Sequence, residues 1–209
     1  MDEITRFKQL LDTAESESEI QSFLEEQPHL LFDLLMSPHA TVITQFPLGS
    51  DFRSDFAFVH SHSGGNFLEL IELKHPKTLI FNRDGSFSQQ FNHALQQIQD
   101  WTAWCRAHQE ATLRQIKPLI RYLKSDNLYV NALLVMGRRK ELSNKQRQER
   151  FEARLHQLPQ GLQFRTYDGF AERLEDYRKW LKEGYRSVRC LRYKEQGFMD
   201  ASINHEDIA

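Results

Sequence analysis

Cysteine is scarce, long apolar runs are missing, and each absence removes a class of protein. Two cysteines among 209 residues, Cys105 and Cys190, form neither a CxxC pair nor a disulfide ladder. That fits a reducing compartment and argues against a structural zinc site. No apolar stretch is long enough to span a bilayer, and the opening MDEITRFKQ lacks a signal-peptide layout. A cytoplasmic protein without membrane partners is therefore expected. Internal repeats and low-complexity tracts are absent too. What remains, at 40% hydrophobic content, is enough chain for one good core with a small helical annex.

The net charge of -2 hides an uneven distribution. Residues 1–100 hold 6 Lys/Arg against 15 Asp/Glu, a balance of -9, and residues 101–209 hold 21 against 14, a balance of +7. A basic half beside an acidic half is compatible with an anionic partner bound next to a metal site. From charge alone, two solvated faces account for the asymmetry more simply.

The most informative stretch runs from Asp51 to Lys74, DFRSDFAFVHSHSGGNFLELIELK. Two apolar-rich runs flank a Ser/His/Gly/Asn turn, which predicts a β-hairpin with Gly64 and Gly65 at its tip. Alternation along the second strand puts Glu72 and Lys74 on one face and Ile71 and Leu73 on the other. A turn centred near Ser63 and Gly64 sets Asp55 directly opposite Glu72. Two carboxylates and an ammonium then meet at one edge of an apolar hairpin. Singly, Asp55 would be a turn residue, and Glu72 with Lys74 a surface pair. Their convergence in one register is what points to catalysis.

Around the hairpin, helices are expected over residues 2–12 and from Glu17, with Pro28 resetting the second and a turn or two from His29 to Met36. Thr41–Pro47 reads as a strand. His75–Phe87 reads as a loop with a turn, and Ser88–Ala107 as a strong helix with more helix up to Lys124, interrupted near Pro118. Tyr129–Met136 is a near-continuous apolar run suited to a buried strand. Ser143–His156 is a charged helix that Ser143 can cap, Gln163–Thr166 a short strand, and Asp168 a cap for a helix running to Lys182. Past Gly184 the pattern fades into the basic residues Arg186, Arg189, Arg192 and Lys194, and the last ten residues look frayed. The division expected is an N-terminal helix (1–16), a main domain (17–183) and a basic tail (184–209). The order αα-βββ-α-β-α-β-α gives an α/β fold, a mixed sheet flanked by helices.

A hairpin acid, a Glu-x-Lys on the next strand, a helix and a buried strand resemble, in that order, the PD-(D/E)XK nuclease superfamily. The surroundings resemble one branch of it, the nuclease domain of the Shedu anti-phage defence proteins. The stretches that carry the resemblance are EIQSFLEEQPHLL, PLGSDFRSDF, LELIELKHP, ALQQIQDW, VMGRRKEL and FRTYDGF, spread over residues 17–183. Ser54 stands where the superfamily's name has proline. The resemblance implies a restriction-endonuclease-like αβββαβ core with extra helices, cleavage of DNA, and a homo-oligomer in which the Trp-bearing helix finds a partner. Many relatives carry this domain at the end of a longer chain, so a dedicated sensing domain is expected to be lacking here.

Phosphodiester hydrolysis needs an activated water, a cation for the charge on phosphorus, and help for the leaving oxygen. Asp55 and Glu72 offer hard oxygens to Mg²⁺, with Mn²⁺ a possible substitute. By resemblance, the Leu73 carbonyl is a third protein ligand, Glu19 on the leading helix adds an acid, and Gln97 contacts the water or a phosphate. Glu17 competes with Glu19 for that role, and Gln96 with Gln97. Lys74, beside two acids, is expected to stay protonated and to act electrostatically. Arg138, Arg139 and Lys140 either hold backbone phosphates or form a capping and solubility cluster. His60 and His62 read as solvated turn residues, and Trp101 and Trp104 as core or subunit interface. Two other functions stay open: a nuclease fold that binds nucleic acid or protein without cutting, and an RNase or repair nuclease.

Overall fold

The structure, a computed structural model, describes residues 2–34, 41–120, 127–181, 189–194 and 197–200. One mixed sheet organises the chain. Its strands are β1 (Thr41–Leu48), β2 (Phe52–His62), β3 (Gly65–Leu73), β4 (Leu128–Val135), β5 (Leu162–Arg165), β6 (Arg189–Lys194) and β7 (Gly197–Asp200). They lie in the order β5-β4-β3-β2-β1-β6-β7. The β1–β2–β3 meander is antiparallel, while β4 joins β3, β5 joins β4 and β6 joins β1 in parallel. The helices are α1 (Glu3–Thr13), α2 (Glu17–Glu26), α3 (Gln89–Ala107), α4 (Gln109–Ile116), α5 (Lys145–His156) and α6 (Tyr167–Leu181), and a 3₁₀ segment spans Pro28–Leu34.

Two apolar layers sandwich the sheet. On one face Phe7, Ile20 and Phe170 from α1, α2 and α6 pack on Phe56, Phe58, Ile71 and Leu73. On the other, Phe91, Leu95, Ile98 and Trp101 of α3 cover Ala57, Leu70 and Leu134. The stripe on α3 recurs every three or four residues, which is why this run is a helix and why it lies flat on the sheet. Ser88 starts it by accepting the Phe91 N–H at 3.0 Å.

The hairpin takes the expected register: Phe56 faces Ile71 and His62 faces Gly65. Several boundaries differ from expectation. Asn144, not Ser143, caps α5, accepting the Gln146 N–H at 2.8 Å. Thr166 starts α6 by accepting from Gly169 at 3.2 Å, and Asp168 lies inside the helix with a different task. The basic tail is not patternless: β6 and β7 extend the sheet beyond β1. Cys190 and Leu191 are buried there, and backbone pairing with β1 supplies the rest. The expected helix at 121–124, the turn at 35–36, Arg186 and the frayed terminus at 201–209 lie outside the described residues.

Inside β1 and β2 the alternation slips by one residue. Ile43 and Phe46 share the α3-facing cluster although three residues separate them, and so do Phe52 and Ala57, five residues apart. Strict alternation forbids both. The slip falls between the pairs Thr44–Phe56 and Phe46–Ser54, at Gln45 and Asp55. Gln45 absorbs it in the left-handed region, with φ of 54°.

A candidate active site at the end of the hairpin

The slip matters because Asp55 is one of its two residues. Freed from regular pairing, its carboxylate reaches across to β3 and accepts the Leu73 N–H at 2.8 Å. Glu72 lies between Ile71 and Leu73 and so takes the opposite face from them, the one covered by α3. It is 3% exposed and bound by the Lys74 ammonium. Lys74 itself is fixed by its backbone N–H, which donates to Val135 O at 2.9 Å. Asp55, Glu72 and Lys74 therefore meet where β3 leaves the sheet.

A fourth charge comes from α2, and it is Glu17. Its carboxylate accepts the His75 N–H at 3.0 Å. Glu19 is engaged elsewhere: it closes a capping box, accepting the backbone N–H groups of Glu15 at 3.2 Å and Ser16 at 3.1 Å. His75 clamps the α1–α2 corner to the site. Its Nε2 donates to Ala14 O at 3.1 Å while Nδ1 accepts the Lys77 N–H at 3.1 Å, a pairing that sets the tautomer. The Lys77 ammonium reaches the same Ala14 carbonyl at 2.9 Å.

Electrostatics set these acids apart. Burial first, then repulsion from Asp55, pushes Glu72 up to about 8, against the pull of Lys74. Burial also raises Asp55 to about 6, with Glu17 adding to the rise and the Leu73 N–H opposing it. Burial disfavours the Lys74 charge, yet Glu72, Glu17 and Asp55 together hold its pKa above the ordinary lysine value. Lys74 thus stays an ammonium, while the acids lack compensating positive charge. Tyr167, fully buried at the start of α6, feels the same three carboxylates, and its hydroxyl has no hydrogen-bond partner among the described residues.

The donor set fits a hard divalent cation. Two carboxylates whose ionisation is suppressed by burial and mutual repulsion gain most from a positive ion between them. Among the described residues no three His, Cys, Asp or Glu side chains make a metal cage by themselves. Mg²⁺ does not need one, since it keeps several waters and takes only one or two carboxylates.

The other candidates fall elsewhere. Gln97 is half-buried midway along α3, the helix over the Glu72 face, and its neighbour Gln96 is spent on Asp100 at 2.8 Å. Arg138 is locked between Asp168, which it meets at 2.9 Å, and Asp12. Arg139 pairs with Glu172, so both cations serve to tie β4 to α6, and Lys140 is exposed and has no such partner among the described residues. His60 is not a solvated turn residue: its side chain is 8% exposed, stacks on Phe67 at 4.9 Å and faces Glu69 at 3.7 Å. The His62 side chain lies outside the described ones. Trp101 is buried in the core, and Trp104 packs on its edge against His108. A cavity of about 910 Å³ at the α3–α4 corner, between Arg106, His108, Glu110, Arg114 and Lys117, is lined by none of Glu17, Asp55 and Glu72. No helix among the described residues is long and apolar enough to cross a membrane.

Sequence reasoning missed the clamp and left the choice between Glu17 and Glu19 open. One signal was available for the latter: Ser16-x-x-Glu19 before an apolar stripe is a capping-box pattern, which commits Glu19.

No curated protein matches the chain. The family model described as the C-terminal region of the Shedu protein SduA matches residues 14–171. That interval takes in Glu17, the whole hairpin with Lys74, α3, and the corner where Gly137 and Arg138 meet Tyr167 and Asp168. Membership of this family points to anti-phage defence. From helix α2 to the start of α6, then, the chain belongs to the Shedu SduA C-terminal family.

Proposed function

We propose that this protein is a metal-dependent DNA endonuclease acting in anti-phage defence. One observation carries the reading: Asp55 and Glu72, both raised in pKa by burial, share the hairpin's end with an ammonium. A binding surface has no need for suppressed carboxylates beside a half-buried lysine, whereas a cation-assisted hydrolase does.

Asp55 and Glu72 would hold Mg²⁺, or Mn²⁺ in its place, with the Leu73 carbonyl and Glu17 as further oxygens. When bound, the ion supplies Lewis-acid activation of water and neutralises charge on the phosphate. Lys74 keeps its proton and meets the substrate's negative charge as a positioned donor. Gln97, from the helix above, is the group expected to orient water or a phosphate oxygen. DNA as substrate and a homo-oligomeric state are part of the same proposal and rest on the resemblance to that family. Trp101 is buried in the core and Trp104 packs on its edge, so Trp101 is not available to an interface.

Cleavage of supercoiled plasmid, linear DNA and RNA, with Mg²⁺, Mn²⁺ or EDTA, tests this directly. Metal-dependent nicking or linearisation is expected. Glu72→Ala and Lys74→Ala should each lower the rate by at least about 100-fold. Inert protein on every substrate that still binds DNA or a partner would favour a non-cleaving module. Preferential cleavage of RNA would make it an RNase.

A further inference from the structure

The site needs something to hold the nucleic acid beside the reacting phosphate. The sequence offered Arg138, Arg139 and Lys140, and intramolecular carboxylates occupy the first two. A different basic group lies next to the acids. Arg53 is two residues before Asp55 on β2, exposed, and makes no hydrogen bond or ion pair among the described residues.

Arg53 lines a polar cavity of about 360 Å³ together with Ser18, Gln21 and Glu25 of α2, Gln45 of β1 and Arg192 of β6. Parts of its α2, β1 and β2 walls run on from the acid cluster. Ser18 follows Glu17, and Gln21 lies one helical turn beyond Glu17 on the same side of α2. Gln45 stands opposite Asp55 at the slip in the ladder. The slip also explains how Arg53 reaches this cavity. Ser54 is buried and pairs with Phe46, whose side chain faces α3, so Arg53 turns toward α2.

The one acid in the cavity is already neutralised. Glu25 accepts from Arg192 at 2.7 Å, from Gln21 at 3.2 Å and from the Thr44 hydroxyl. Arg53 is left as the uncompensated charge, ringed by neutral donors. That combination suits a phosphate oxygen pair, which a guanidinium can grip with two parallel N–H groups.

We infer that this cavity binds a backbone phosphate of the nucleic acid flanking the one that reacts, with Arg53 as its anchor. The inference rests on the endonuclease reading. Gln45, in its left-handed conformation, couples the two: the same distortion that releases Asp55 shapes the cavity wall.

The test is binding of short labelled DNA and RNA duplexes in Ca²⁺ by the full chain carrying Asp55→Asn, which removes cleavage from the measurement. Adding Arg53→Ala should weaken binding about 5–10-fold and make the slope of log K against log salt shallower by about 1. Arg53→Lys should keep the slope, because the charge is retained, while losing part of the affinity with the paired N–H grip; a packing defect would not preserve the slope difference from Arg53→Ala. Unchanged affinity and slope in Arg53→Ala, with cleavage by the otherwise wild-type chain intact, would overturn this inference alone. So would Arg53→Lys behaving like Arg53→Ala with the parent's slope. If the parent binds neither duplex and the wild-type chain cuts nothing, the endonuclease reading fails and takes this inference with it.

Discussion

Two clusters of charge emerge side by side from the parallel strands β3 and β4, and they are built on opposite terms. After β4, Arg138 and Arg139 meet Asp12, Asp168 and Glu172, and every charge has a partner. Asp168 is held below the usual carboxylate range by Arg138 despite partial burial, and Arg138 is raised above the usual guanidinium value by Asp168. After β3, burial drives Asp55 and Glu72 the other way, and a single ammonium serves three acids. The first cluster is complete within the chain and fastens β4 to α6. The second lacks positive charge. A complete network is what structure requires; a deficient one is what a cation requires.

The sharpest way to break this comparison is to remove one carboxylate from each cluster. Asp168→Ala should destabilise the protein by about 1–2 kcal/mol, because it leaves Arg138 with Asp12 alone among its carboxylates and frees the start of α6. Asp55→Asn should do the reverse in metal-free protein at pH 8, raising the midpoint by a few degrees while abolishing cleavage. Asparagine still accepts the Leu73 N–H, and the charge that repels Glu72 is gone. Thermal melts of both variants with EDTA would decide; destabilisation by Asp55→Asn would mean the acids are a structural pair.

Smaller, but opposite in sign between the clusters, is the response to pH. A carboxyl whose folded pKa is raised binds its proton more tightly when folded. Its stabilisation is full below the ordinary carboxylate value and is lost as pH rises through the folded pKa. For Asp55 and Glu72 that window runs from about 4 to about 8, so metal-free protein should lose stability across it. Asp168, with its pKa lowered, contributes above the ordinary value and loses its contribution as pH falls below it. Melts from pH 4 to 9 should show the loss toward pH 8, and Asp55→Asn, or Mg²⁺ in wild type, should flatten it. A flat profile in metal-free wild type would contradict the raised pKa values.

The smallest effect belongs to Gln45. Glycine tolerates its backbone conformation freely, and a β-branched residue does not. Gln45→Gly should leave stability within about 1 kcal/mol of wild type, whereas Gln45→Val should cost about 1–2 kcal/mol. Denaturant titration would measure both. Equal tolerance of valine would remove the strain from the explanation of how Asp55 is released.

Much of this was legible in the sequence because it is written locally. Alternation and a Gly-Gly tip fix the hairpin register, and that register brings Asp55 to Glu72 without knowledge of the rest. The stripe of Phe91, Leu95, Ile98 and Trp101 likewise announces α3. What could not be read depends on distant partners. Arg138 looks like a phosphate ligand until Asp168, thirty residues on, is found beside it. Asp168 looks like a cap for the same reason. Strand β6 has little apolar pattern of its own, since Arg189, Arg192 and Lys194 interrupt it, and it forms because β1 offers an unpaired edge. The phase slip is invisible locally, for Thr44–Phe46 and Ser54–Phe56 look like ordinary strand.

The backbone bond from Lys74 to Val135 has a consequence in time as well as in space. A growing chain completes the acidic hairpin early, yet the strand that pins Lys74 is translated about sixty residues later. At 5–20 residues per second the interval is roughly 3–12 s. Throughout it the two acids exist on the nascent chain without a fixed ammonium beside them. The proposed site is therefore completed only with synthesis of β4, and an interrupted translation product ending before it carries the acids and their lysine without the backbone bond that fixes Lys74.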